Sequence, residues 1–95
     1  MNGALIRLTA ERWTHITEEH CELAGLSYEV LEAVESPEAV YQGFAGELLA
    51  VRQLVPGKFP VVVDREQTAE QGFVITAFLT RRIRQIEKRR KVWPR

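Results

Sequence analysis

A single cysteine, Cys21, leaves this 95-residue chain without any intrachain disulfide. That usage fits a reducing, cytoplasmic setting. Long apolar runs are missing too. None approaches the ~20 residues that a bilayer-spanning helix needs, so no membrane partner is expected. No basic segment followed by an apolar run opens the chain, so no secretory leader is expected. Internal repeats and low-complexity stretches are absent. Metal-binding spacing is also lacking. His15 and His20 stand five residues apart, which is ~140° around a helix. A zinc-binding helix needs the two ligands at i and i+4, and Cys21 does not complete a set. Neither a metal nor another cofactor is expected.

What is present suits one globular domain spanning residues 1–95. Hydrophobic residues make up 45% and charged residues 27%, with 13 basic and 13 acidic groups, so the chain does not read as disordered. The neutral total conceals a segregation. Residues 1–50 carry Arg7 and Arg12 against nine glutamates, a balance of −7, and residues 51–95 carry eleven basic and four acidic groups, a balance of +7. Such asymmetry points to a polyanionic partner, or to basic surface facing the chain's own acidic helices.

Hydrophobic spacing gives the elements. Ala4–Leu8 reads as a short strand. Thr9 can cap a helix to about Leu23, with Trp13, Ile16, His20 and Leu23 on its apolar stripe and Gly25 as its stop. Ser27 can cap a second helix, with Val30, Leu31 and Val34 inward, ended by Ser36-Pro37. Tyr41–Phe44 can add a short edge strand. Leu48–Val55 and Phe59–Val63 read as a hairpin around Pro56-Gly57. A polar loop, 65–72, leads to a strand at Phe73–Phe78. The spacing then predicts a helix from Thr80 to about Lys91, docked by Leu79, Ile83 and Ile86. The expected fold is α+β: N-terminal helices on one face of an antiparallel meander of about four strands, closed by a C-terminal helix.

Several residues could carry chemistry. His20 lies on the apolar stripe, where it is either a half-buried packing residue or an acid–base group, the role histidine takes most often in catalysis. His15, among glutamates, reads as a surface residue. Arg52 shares a strand face with Ala50 and Leu54. It asks for a carboxylate, with Glu47 or Asp64 in range of the sequence pattern, or for a phosphate. Thr76 shares a face with Val74 and Phe78. In the last fifteen residues eight basic groups stand against Glu87 alone. This tail, with Arg81, Arg82, Lys88, Arg89 and Arg90, is either a solvated helix face or a track for RNA phosphates, with Trp93 placed to stack or pack.

Five stretches together resemble a known family. They are Arg12-Trp13-Thr14-His15-Ile16, His20-Cys21-Glu22-Leu23, Pro37-Glu38-Ala39-Val40-Tyr41, Glu47-Leu48-Leu49-Ala50-Val51-Arg52 and Val74-Ile75-Thr76-Ala77-Phe78-Leu79-Thr80. Their order resembles small phage- and cyanobacteria-type proteins of the barnase–EndoU–colicin–RelE group, with Cys21 where relatives often have proline. The resemblance covers roughly Arg12 to Thr80. It implies a metal-independent RNase fold, a toxin paired with an antitoxin, and cleavage through the RNA's own 2′-hydroxyl. By that resemblance His15 and His20 would be acid and base, Arg52 would hold the scissile phosphate and Thr76 would hydrogen-bond it, with Thr80 a further candidate. The alternative is a non-catalytic interaction domain on the same fold, binding nucleic acid, protein or a second copy as a homodimer.

Overall fold

The computed structural model describes residues 5–94, so Ala4 of the first strand and Arg95 of the basic tail lie outside the described residues. The fold is α+β, with three α-helices and one six-stranded, mostly antiparallel sheet among the described residues. Four strands form the meander. They are β2 (Ala39–Gln42), β3 (Leu48–Val51), β4 (Phe59–Glu66) and β5 (Gln71–Thr80). Two further strands close its edges. β1 (Leu5–Arg7) runs parallel to β5, and β6 (Lys91–Trp93) runs antiparallel to β2. The sheet order is β1-β5-β4-β3-β2-β6.

The helices α1 (Ala10–Glu19) and α2 (Ser27–Glu35) pack on one face of this sheet. Thr9 caps α1 as expected, its hydroxyl accepting the Arg12 N–H at 3.1 Å. The α-helix stops at Glu19, earlier than the stripe suggests, and Cys21–Leu23 forms one 3₁₀ turn. Glu18 and Glu19 oppose the helix dipole at this end, and the tighter turn swings Leu23 fully into the core. α2 begins at Ser27 itself, with Leu26 in the cap position and no side-chain cap. Its buried residues are Val30, Ala33 and Val34, while Leu31 is exposed. Against these helices lie Val40, Ala50, Val62, Val74 and Ala77 of the strands.

The other sheet face has its own smaller core of Tyr41, Leu49, Val51 and Val61, with Phe59, Val63 and Phe78 beside them. It is covered by α3 (Ile83–Glu87) through Ile83 and Ile86. Helices therefore sit on both faces, where the sequence pattern suggests one. The long C-terminal helix is also replaced. β5 runs on to Thr80, paired with Phe59, and carries Leu79 into the first core. A helix from Thr80 to Lys91 would stack Arg84 over Lys88, and Arg81 near Arg84, as like-charged neighbours. Five residues stay helical, and Lys91-Val92-Trp93, rich in strand-formers, takes the open edge of β2 instead. β3 is shorter than expected. Beyond Val51 the ladder loosens, the Arg52 N–H reaching the Pro60 carbonyl at 3.4 Å, although the Pro56-Gly57 turn forms with Gly57 at φ +80°. The polar loop narrows to residues 67–70 because β4 and β5 extend into it.

Candidate functional site

α1 carries both histidines. His15 is exposed, with Nδ1 3.9 Å from a Glu18 carboxylate oxygen. His20 closes the helix, its N–H donating to the Ile16 carbonyl at 2.7 Å. Its Nδ1 lies 3.6 Å from Glu22, and its ring packs at 43° to Phe78 with centroids 6.2 Å apart. Among the described residues no cluster of three histidine, cysteine or carboxylate side chains could hold a metal.

Arg52 and Thr76 lie on opposite faces of the sheet. Arg52 follows Ala50 on the helix-covered face. There its Nη1 donates to the Ser36 carbonyl at 2.8 Å, and its Nε stands 3.4 Å from Glu32. The guanidinium thus ties β3 to the end of α2. Glu47 and Asp64, the partners suggested by the sequence, are elsewhere: Glu47 faces Arg65 at 3.8 Å, and Asp64 is buried under the helices. Thr76 pairs with Val63 and Phe78 with Val61, which puts both on the α3 face. His20, at the end of α1, meets Phe78, two residues along β5 from Thr76, while Arg52 lies against α2 on the sheet face opposite Thr76. Thr80 accepts the Arg82 N–H on its hydroxyl at 2.9 Å.

The basic tail meets a different group of residues. The loop 43–47 joining β2 to β3 is closed by contacts within itself and from β4. Glu47 accepts the Ala45 N–H at 2.9 Å, and Arg65 Nη2 donates to the Ala45 carbonyl at 2.9 Å. Backbone hydrogen bonds, from the Ala45 N–H above all and then from Phe44, together with the Arg65 charge hold the Glu47 carboxyl below its ordinary pKa. A Cβ at Gly43 would displace the Glu47 side chain from its place in the loop, and Gly46 adopts φ +88°, which favours glycine. This built loop holds Phe44 out at its tip, 94% exposed. Arg89 lies over the Phe44 ring, its guanidinium carbon 3.6 Å from the centroid, and its Nε donates to the Gln42 carbonyl at 2.7 Å. Around this pair is an open cavity of about 410 Å³ whose lining includes Gln85, Lys88 and Arg90. Arg81 and Arg82 are exposed ahead of α3 and do not line it. The tail's one carboxylate, Glu87, acts on buried Tyr41, where burial first and this charge second raise the phenol's pKa.

Comparison with known protein families, curated proteins and solved structures gives no match. No helix among the described residues is long and apolar enough to cross a membrane. The residues missed in the sequence are Phe44, Gln42 and Arg65, and Glu47 figures there only as a partner for Arg52. A signal existed: Gly43-Phe44-Ala45-Gly46 places an aromatic ring in a short glycine-flanked loop, where no core can take it.

Proposed function

We propose that the chain is a nucleic-acid-binding module that grips single-stranded RNA at the corner formed by Phe44, Lys88, Arg89 and Arg90. The observation that carries this reading is Phe44. A phenyl ring 94% exposed to water, on a loop braced by Glu47 and Arg65, serves neither core. Exposed rings beside arginines form stacking platforms for unpaired bases, and the neighbouring cations track the backbone. Arg89 is already oriented by Gln42, so little of its rotamer freedom is left to lose on binding. Cleavage, the reading implied by the family resemblance, needs acid, base and phosphate-holding groups on one surface. Arg52 is engaged by Glu32 and Ser36 across the sheet from Thr76, so binding without cleavage has the better support.

Fluorescence anisotropy with a labelled single-stranded RNA tests this. Three phosphate contacts predict a salt slope of about −2, or roughly 20-fold weaker binding from 50 to 200 mM salt. Phe44→Ala should remove about 1–3 kcal/mol of stacking while leaving the thermal midpoint unchanged. Equal affinity of the Phe44→Ala variant would refute the platform. Metal-independent release of 2′,3′-cyclic phosphate ends, abolished in Arg52→Ala, would restore the RNase reading.

A further inference from the structure

A second basic site lies away from this corner, in a cavity of about 320 Å³ between the β1–α1 junction and the start of β5. Its lining includes Arg7, Thr9, Arg12, Gln67, Gln71 and Phe73. Arg7 and Arg12 are the only basic residues in the first fifty, where nine glutamates outnumber them. Both nevertheless line the shared cavity, Arg12 also lining a neighbouring one with Glu11 and Glu19, and among the described residues neither reaches a carboxylate within 4.0 Å. Arg52 and Arg65, by contrast, each have a glutamate. No carboxylate lines the cavity at all. Two arginines lining one cavity that no carboxylate enters favour an anion there. Thr9 already takes the Arg12 N–H, and the positive charge offered to an anion comes from the two arginine side chains.

The rest of the lining restricts the anion. Gln67 and Gln71 each offer an amide with donors and an acceptor, suited to a polar heterocycle or sugar. Phe73 is half-buried and pairs with Arg7 across β1 and β5, which places ring and guanidinium on the same side of the sheet. A volume near the lower end for small-molecule sites fits one compact ligand. We propose that this cavity binds a small organic phosphate carrying a planar ring, of the class of the nucleoside monophosphates. Arg7 and Arg12 take the phosphate in the forked geometry that guanidinium favours, and Phe73 takes the ring. The inference does not depend on the RNA reading of the Phe44 corner.

Titration of the ¹⁵N-labelled protein with adenosine monophosphate, adenosine and inorganic phosphate, followed by amide shifts, tests it. Adenosine monophosphate should move the amides of Arg7, Arg12, Gln71 and Phe73 with saturation in the millimolar range or below. Inorganic phosphate should move the same amides more weakly, and adenosine should bind least. Arg7→Gln and Arg12→Gln, both at exposed positions, should each weaken binding about ten-fold. Phe44→Ala should leave it unchanged. Absence of saturation by adenosine monophosphate, equal binding of adenosine, or shifts confined to the Phe44 corner would each overturn the proposal.

Discussion

Replacing Asp64 with asparagine removes a charge from the most demanding position in the sheet. Asp64 is 5% exposed, cross-paired with Leu48 and Val74 at the bulge in the β4–β5 ladder. Burial, with a smaller push from Glu66, raises its carboxyl to about 7. In the unfolded chain the group titrates near the ordinary aspartate value of about 3.9. Between these values the folded state holds a proton that the unfolded state has released. Stability from this group is therefore complete below about pH 4 and is lost as pH rises to about 7. At about 1.4 kcal/mol per pKa step, the full loss is about 4 kcal/mol, of which about 3 falls between pH 5 and pH 8. Asparagine has nearly the same shape and no charge to desolvate. Chemical denaturation of both proteins at pH 5 and pH 8 isolates the effect, since every other ionisable group is common to the pair. The variant should gain on the wild type by about 1–3 kcal/mol more at pH 8 than at pH 5, with relaxation reducing the ideal value. A difference that does not change with pH, or one that favours the wild type at pH 8, would refute the reasoning.

Two further substitutions test the fold and the division of roles within it. Arg52→Met keeps the aliphatic stem but loses the Ser36 hydrogen bond and the Glu32 pair. It should lower stability by about 1 kcal/mol in urea melts and leave RNA affinity unchanged, and a ten-fold affinity loss would mean that Arg52 meets the ligand. Gly72→Ala should be worse, because its Cβ would stand 2.6 Å from the Arg65 carbonyl oxygen and 2.8 Å from Ile6 Cδ1. Overpacking of that kind costs about 1–3 kcal/mol, read as a lowered thermal midpoint, and an unchanged midpoint would mean that β1 yields freely.

The periodic elements were legible in the sequence. Trp13 and Ile16 mark the inward side of α1, Thr9 its start, and Pro56-Gly57 the hairpin turn, because each is a local preference that packing reinforces. The tail was not legible in the same way. Ile83 and Ile86 have helical spacing, yet nothing local reports that β2 has an open edge waiting for Lys91-Val92-Trp93. The placement of Arg52 shows the same limit from the side of function. Alternation put it correctly on the face with Ala50, but its partner, Glu32, comes from another element that only the tertiary fold brings near. Thr76 has alternation with Phe78, but the register shift between Val63 and Asp64 separates it from Val74, so the face it shares depends on a bulge that no spacing announces. The sequence pattern makes Phe44 the end of an edge strand, Tyr41–Phe44, whereas β2 stops at Gln42, gains β6 on its outer side and leaves the ring in the loop.

The arrangement of the sheet edges bears on how the chain reaches this state. The meander β2–β5 is built from neighbours, whereas β1 waits for Gln71 and β2 waits for Trp93. Loop-closure entropy delays such distant pairings, so the four-stranded core should assemble before either flank docks. In that interval β5, ten residues long, has an unprotected rim. It is shielded afterwards by three residues of β1, with α1 and the 3₁₀ turn packed along the remainder. Chain ends that look like ornaments on a finished meander are the parts that keep one molecule's sheet from growing into another's.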